Sequence, residues 1–215
     1  MSFELIDALY RSRLTVLALL DRRGYNVKPF ERFSTRQIEL MLGDSGGTGG
    51  SHALDFRAEK KDEADKRMCH VIYYLHKFRK FEDFIDDLKL SDEDLSRSEF
   101  IVLLNDEVVD AHHKAAIKYW HLRKLKVHFY NLYRLVNNPL DHVLQPKFEI
   151  VPEDKHKDLL AALNCRSKGQ LPVLRYHTDV ITRCLGLIPD DIVKITRPSE
   201  SAGESIIYSV CKPLG

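Results

Sequence analysis

Between Cys69 and Tyr130 short apolar runs alternate with stretches of helical periodicity, and no other part of the chain restricts its fold as much. Val71-Ile72-Tyr73-Tyr74-Leu75, Phe100-Ile101-Val102-Leu103-Leu104 and the run from Lys126 to Tyr130 read as strands, being short and rich in β-branched and aromatic residues. Between the first two, Phe78, Phe81, Ile85 and Leu88 recur at intervals of three and four, which gives a helix one apolar stripe. Val109 to Arg123 reads as a second helix, ahead of the third strand. Two successive strand-helix-strand units imply a small sheet with parallel neighbours and right-handed crossovers.

Upstream, Ile6, Leu9, Tyr10, Leu14, Leu17 and Leu20 share one arc of a helix from Phe3 to Arg23, with Gly24 as its stop. A second helix is expected from Ser34 to Leu42. Clustered glycines from Gly43 to Gly50 suggest a phosphate loop, because bare backbone N–H groups can curl around an anion. No strand precedes them, no Gly-Lys-Ser/Thr closes them, and a polar stretch follows, so 43–67 reads as a flexible Gly-rich and charged loop. Asn137-Asn138-Pro139-Leu140 and Gln145-Pro146 punctuate the chain. Beyond them come a short helix from Pro152 to Leu163, a short strand Leu171-Pro172-Val173-Leu174 and a helix capped by Thr178-Asp179 and ended by Gly186. Strands Ile192 to Arg197 and Ser205 to Val210 close as a hairpin around a Gly-bearing turn. The expectation is an α/β N-terminal domain at 1–145, with a small mixed sheet, and a small α+β C-terminal domain at 146–215 ending in a β-hairpin.

Composition narrows the function. With 215 residues and 44% hydrophobic content the chain can fill a core. Thirty-three Lys and Arg against thirty-two Asp and Glu leave a net charge of +1, against a binder whose whole surface is basic. The four cysteines are scattered, without a C-x-x-C pair, so neither a zinc knuckle nor a disulfide framework is suggested and a reducing compartment fits. No basic-then-apolar leader opens the sequence and nowhere do about 18 apolar residues run together, so neither secretion nor a membrane span is expected.

Catalytic and metal-binding patterns are thin. Asn105-Asp106-Glu107 with Asp110, at the end of a strand, is a place for a divalent cation, and Asp55 with Glu59-x-Lys61 resembles the carboxylate-plus-lysine set of metal-dependent nucleases. Spacing speaks against it, since no strand pattern surrounds Asp55 and Glu59 and residues 59–63 read as a solvated charge run. His112 and His113 are adjacent on a helix and diverge by about 100°. No nucleophile frame is present, so no catalytic, cofactor or metal residue is assigned. From Ala111 through Leu140 there is no acidic residue, while six cations stand among aromatics and four histidines. Two readings remain open: cations gathered on a solvated face near a helix C-terminus, or a surface, Lys114, Lys118, Lys124 and Lys126, lying near nucleic-acid phosphate.

The last sixty residues carry a resemblance. Leu171-Pro172, Asp179, Arg183, Leu185-Gly186-Leu187, Val193-Lys194-Ile195-x-Arg197-Pro198-Ser199-Glu200-x-Ala202-Gly203 and Tyr208 resemble, in order, the fifth subunit shared by eukaryotic nuclear RNA polymerases I, II and III and its archaeal counterpart. Glu149-Ile150-Val151-Pro152-Glu153 looks like that family's entry to the domain, and Arg13-x-x-Val16 with Arg23-Gly24-Tyr25 is similar to the eukaryotic first helix. The chain departs from the pattern at Val180, Asp154 and Ile188-Pro189-Asp190, as a divergent member would.

The resemblance implies a non-catalytic assembly subunit without a cofactor. Its C-terminal domain would anchor on the largest polymerase subunit through Lys194, Arg197, Ser199, Glu200, Gly203 and Tyr208, alongside other polymerase subunits. Its N-terminal domain would form part of the lower jaw, with Lys114, Lys118, Lys124 and Lys126 near downstream DNA. It implies a nuclear protein, or for a viral member one of a viral transcription compartment or virion, with no membrane partner and no homo-oligomer. Two other classes are kept beside it: a metal-dependent nuclease on the α/β domain, and a free adaptor using the same C-terminal module.

Overall fold

The computed structural model describes residues 3–44, 52–62, 64–75 and 97–213. They form two compact units, Met1–Asn138 and Pro139–Gly215, each with its own four-stranded sheet.

In the first unit the strands β1 (Phe56–Glu59), β2 (Met68–Tyr74), β3 (Ser98–Leu104) and β4 (Lys126–Asn131) lie side by side in chain order. β2, β3 and β4 run parallel, with Val71 opposite Ile101 and Ile101 opposite His128, and β1 is antiparallel to β2. This is the expected mixed α/β sheet. β3 is buried at every residue, as a central strand with both faces covered must be. Helices α1 (Phe3–Arg22) and α2 (Thr35–Asp44) precede the sheet, and α3 (Asp110–Arg123) connects β3 to β4. One sheet face, with Ile72, Phe100, Val102, Leu104, Val127 and Phe129, packs on Ala116 and Tyr119 of α3. The expected helix at Phe78 to Leu88 and positions 45–50 of the glycine-rich run lie outside the described residues.

Two details differ from expectation, and a third was not foreseen. β1 falls inside the stretch read as a flexible loop and around the site read as strandless: Phe56 and Ala58 are buried while Arg57 and Glu59 face out, an alternation hidden by the charges that follow. Leu14 is 44% exposed, whereas Ser12, Arg13 and Thr15 are buried. Arg13 is accommodated because it donates to the Leu54 carbonyl at 2.9 Å and its guanidinium lies 4.4 and 4.5 Å from the Phe33 and Phe56 ring centres. The third is a charged cluster beneath the end of α1. Arg23 pairs with Glu99, and the Tyr25 hydroxyl donates to the same carboxylate at 2.9 Å. Burial works against the charge of Glu99, but Arg23, then His128 and Lys126, and the Tyr25 hydrogen bond together hold its carboxyl below the usual range.

The second unit orders its strands β5 (Lys147–Val151), β7 (Ile192–Ser199), β8 (Gly203–Lys212) and β6 (Val173–Arg175). β7 and β8 are the expected hairpin, with both strands longer at the turn and β8 longer at its end. β5 was not foreseen: it is half-exposed and pairs antiparallel with β7, Glu149 opposite Lys194. Helices α4 (His156–Ala162) and α5 (Val180–Leu185) complete an α+β unit. Asp179 caps α5 by accepting from Ile181 N–H at 2.8 Å, and Gly186 ends it at φ 68°. Leu171, Ile192 and Val210 form one part of the core, against which Leu159, Leu160 and Tyr208 pack, and Tyr176, Leu187, Val193 and Ile195 are buried as well.

Candidate functional site

The β7–β8 hairpin is built by pairing from Ile192 opposite Val210 out to Ser199 opposite Gly203. Its inner end is core. Its outer end projects past both neighbours, since β5 reaches only to Thr196 and β6 covers only Val210 to Lys212. Gly203 stands at φ 72°, where an L side chain is strained, and the turn is tied by Ala202 N–H donating to Ser199 Oγ at 3.3 Å.

The six residues expected at an assembly interface divide along this gradient. Arg197, Glu200 and Gly203 are exposed at the projecting end and Ser199 is half-buried beside them. Lys194 lies nearer the base, where Glu149 of β5 holds it at 3.4 Å and also takes Lys147 at 2.6 Å. Hydrogen bonds from those two lysines are the main reason the Glu149 carboxyl sits below its ordinary range. Tyr208 is half-buried against the core. The hairpin therefore brings Arg197, Ser199, Glu200 and Gly203 together, while Lys194 and Tyr208 fix its base. Glu149 was missed; the alternation Phe148-x-Ile150 ahead of Pro152 is the signal that marks its strand.

The basic set divides likewise. Lys114 and Lys118 are exposed one turn apart on α3, with His121 exposed a further turn on. Lys124 is exposed at the helix end, at φ 55°, with its ammonium 5.4 Å from the Trp120 ring centre. Lys126 opens β4 half-buried, close enough to Glu99 to help keep that carboxylate ionised. Three of the four thus lie along α3 and its end, and the fourth serves the charged cluster.

The nuclease-like residues do other work. The Asp55 carboxylate accepts from Tyr73 N–H at 2.8 Å and so fastens the sheet. The Asp106 carbonyl accepts from the Asn131 amide at 3.1 Å, and His112 Nδ1 accepts from Val109 N–H at 3.1 Å at the start of α3. Among the described residues no three His, Cys, Asp or Glu side chains converge as a metal ion would require. No helix among them is long and apolar enough to cross a membrane.

Residues 137–211 match the family described as RNA polymerase Rpb5, C-terminal domain. A Dictyostelium discoideum protein, DNA-directed RNA polymerases I, II, and III subunit rpabc1, is 24% identical over 210 residues, covering 97% of this chain and 99% of its own. The Archaeoglobus fulgidus protein DNA-directed RNA polymerase subunit Rpo5 is 44% identical over 68 residues, 32% of this chain but 87% of the archaeal one. Its Methanosarcina barkeri counterpart is 42% identical over 69 residues, 32% of this chain and 86% of its own. The resemblance first carried by the closing hairpin thus extends to nearly whole relatives, and the chain belongs to the Rpb5 family of DNA-directed RNA polymerase subunits, which are not themselves catalytic.

Proposed function

We propose that the chain is an assembly subunit held on the largest polymerase subunit by its C-terminal unit, with its N-terminal unit in the lower jaw near downstream DNA. The observation that carries this reading is the coverage of the archaeal relatives: about a third of this chain accounts for 87% of a whole polymerase subunit. What that subunit does by itself belongs to the C-terminal unit, and the projecting hairpin is its most directional surface. Arg197 near the end of β7 and Glu200 at the first turn residue offer opposite charges at the projecting end, beside the Ser199–Gly203 pair that closes the ladder. The N-terminal unit is additional. Lys114, Lys118 and Lys124 give it a row of exposed cations suited to duplex phosphate, and the site of action is the nucleus or, for a viral member, a viral transcription compartment.

Recovery of the tagged full-length chain at moderate salt, followed by mass spectrometry of the native complex, tests the assembly role. Large polymerase subunits are expected in the complex, and a lone monomer overturns the reading. The jaw position is tested by reversing Lys118 and Lys124 to Glu together. The stability of transcribing complexes should then depend less steeply on salt, by about one to two units of log–log slope, and an unchanged slope refutes it.

A further inference from the structure

Strand β8 is longer than the strand that covers its outer side. It runs from Gly203 to Lys212, yet β6 pairs with it only from Val210 to Lys212. Among the described residues no strand pairs with that side from Glu204 to Ser209. The register says which atoms are left there. Val210 N–H donates to the Pro172 carbonyl on the β6 side at 2.8 Å, and along a strand the N–H and C=O of every second residue point the same way. The main-chain groups of Ile206 and Tyr208 therefore point to the open side, and those of Ser205, Ile207 and Ser209 to β7. Glu204, Ser205 and Ile206 are exposed, Ile206 by 50%.

The opposite margin of the hairpin is treated differently. β5 ends opposite Thr196, so β7 is uncovered at Pro198, which the same alternation turns outward. Proline has no N–H to offer, and proline at an outward-facing position is a common guard against unwanted strand pairing. Pro198 also costs the hairpin nothing, because its N–H would not have pointed at β8. One margin is blunted and the other keeps its donors and acceptors.

We propose that the open side of β8, from Glu204 to Tyr208, receives an extended segment of a large polymerase subunit as an added strand. This rests on the assembly reading above. The recognition is main-chain first: Ile206 and Tyr208 present two donor–acceptor sets about 7 Å apart, the repeat of a strand. The incoming segment would carry an apolar side chain beside Ile206 and a cationic one toward Glu204 at the turn end, where Glu200 adds a second exposed carboxylate. An unprotected edge is also a route to self-association, so a second copy of the chain is the competing occupant.

Two variants of the full chain separate main-chain from side-chain recognition. Ile206→Pro deletes an outward N–H without touching a β7–β8 bond; Ile206→Ala keeps the N–H and trims the side chain. Co-expressed with the polymerase, Ile206→Pro should be held by the large subunits about tenfold more weakly than wild type, and Ile206→Ala within about threefold of it. Amide exchange on the unaltered chain is the second readout: Ile206 and Tyr208 amides should exchange fast in the free chain and slow at least about tenfold on assembly, with Ser205 and Ile207 protected in both states. The proposal is overturned if Ile206→Pro is retained as well as Ile206→Ala, if the Ile206 and Tyr208 amides do not slow on assembly, or if the free chain is a dimer that Ile206→Pro dissolves. Should Ile206→Pro not fold, the exchange result decides. If wild type itself is not recovered with the large subunits, it is the assembly reading that fails, a separate outcome.

Discussion

Replacing Arg23 by Met probes the buried charged cluster of the first unit. The Arg23 and Glu99 side chains are 7% and 8% exposed, and the carboxylate also has the Tyr25 hydroxyl at 2.9 Å, His128 Nε2 at 3.7 Å and the Lys126 charge near it. Breaking a buried pair from one side costs about 3–5 kcal/mol, because the surviving charge stays out of water without its partner. The stranded carboxylate has one escape, which is to take up a proton, and that limits the electrostatic loss. From an ordinary glutamate value of about 4.3, protonation at pH 7 costs about 3.7 kcal/mol, and at pH 5 about 1 kcal/mol. The sign follows from the pairing. In the wild type the lowered Glu99 value contributes stability above about pH 4.3 that is lost as pH falls through it. In the variant, burial prevails and raises the carboxyl, so folding there is penalised at neutral pH and relieved in acid. The deficit of Arg23→Met should therefore be about 3–4 kcal/mol at pH 7 and shrink toward about 1 kcal/mol at pH 5. Urea unfolding followed by the single tryptophan, Trp120, reads the same unit as the cluster, with a midpoint about 1–3 M lower at pH 7. Pairing Arg23→Met with Glu99→Leu should restore most of the loss. A deficit below about 1 kcal/mol at pH 7, or one equal at both pH values, refutes the buried-pair account.

His70 is 2% exposed and stacked on Phe100 at 4.9 Å, and burial, then Arg57, lowers its value to about 4; the fold thus favours neutral imidazole, and stability present above about pH 6.5 is lost as pH falls toward 4. His70→Gln should flatten that acid limb by roughly 2–3 kcal/mol, and unfolding curves of equal pH slope would refute it. Asp179→Ala should weaken the second unit by about 1 kcal/mol and speed exchange of the Ile181 amide, whose acceptor it removes; unchanged exchange counts against the cap. At Gly203 an added Cβ meets nothing within 4 Å, so the cost of Gly203→Ala is conformational, about 1 kcal/mol, and Gly203→Asn should cost less; equal losses would point to a steric cause.

Elements whose residues pack in sequence order were legible. The parallel core of the first unit showed because strands covered on both faces become continuous apolar runs, as in Phe100 to Leu104. The closing hairpin showed because turn chemistry at Gly203 separates two apolar runs. Elements whose identity depends on distant partners were not. β1 carries its message in two residues, Phe56 and Ala58, and β5 is a strand because β7 lies beside it. Arg13 and Arg23 stand out in the sequence only through the resemblance of the first helix, and Glu99 not at all, until the fold places Leu54, Tyr25 and His128 around them. Of the candidate site, the identities of Arg197, Ser199, Glu200 and Gly203 were readable, whereas the division between a projecting tip and a braced base needed the lengths of β5 and β6.

That division bears on how the two units are stabilised. The first holds an ion pair and a histidine inside its core, so its stability varies with pH. The second keeps its Lys147–Glu149–Lys194 brace on the surface, where such pairs add little, and relies on buried apolar side chains such as Leu171, Tyr176, Leu187, Ile192, Val193 and Val210. A domain of roughly 75 residues rarely draws more than about 3–5 kcal/mol from its core alone. A partner bound at a hundred times its dissociation constant adds about 2.7 kcal/mol, comparable with that whole margin. The unit that the archaeal relatives possess almost by itself is therefore the one that gains most from being held, and its unfolding transition should shift upward on assembly while that reported by Trp120 moves less. An equal shift of both would mean that the stabilising contact is not confined to the C-terminal unit.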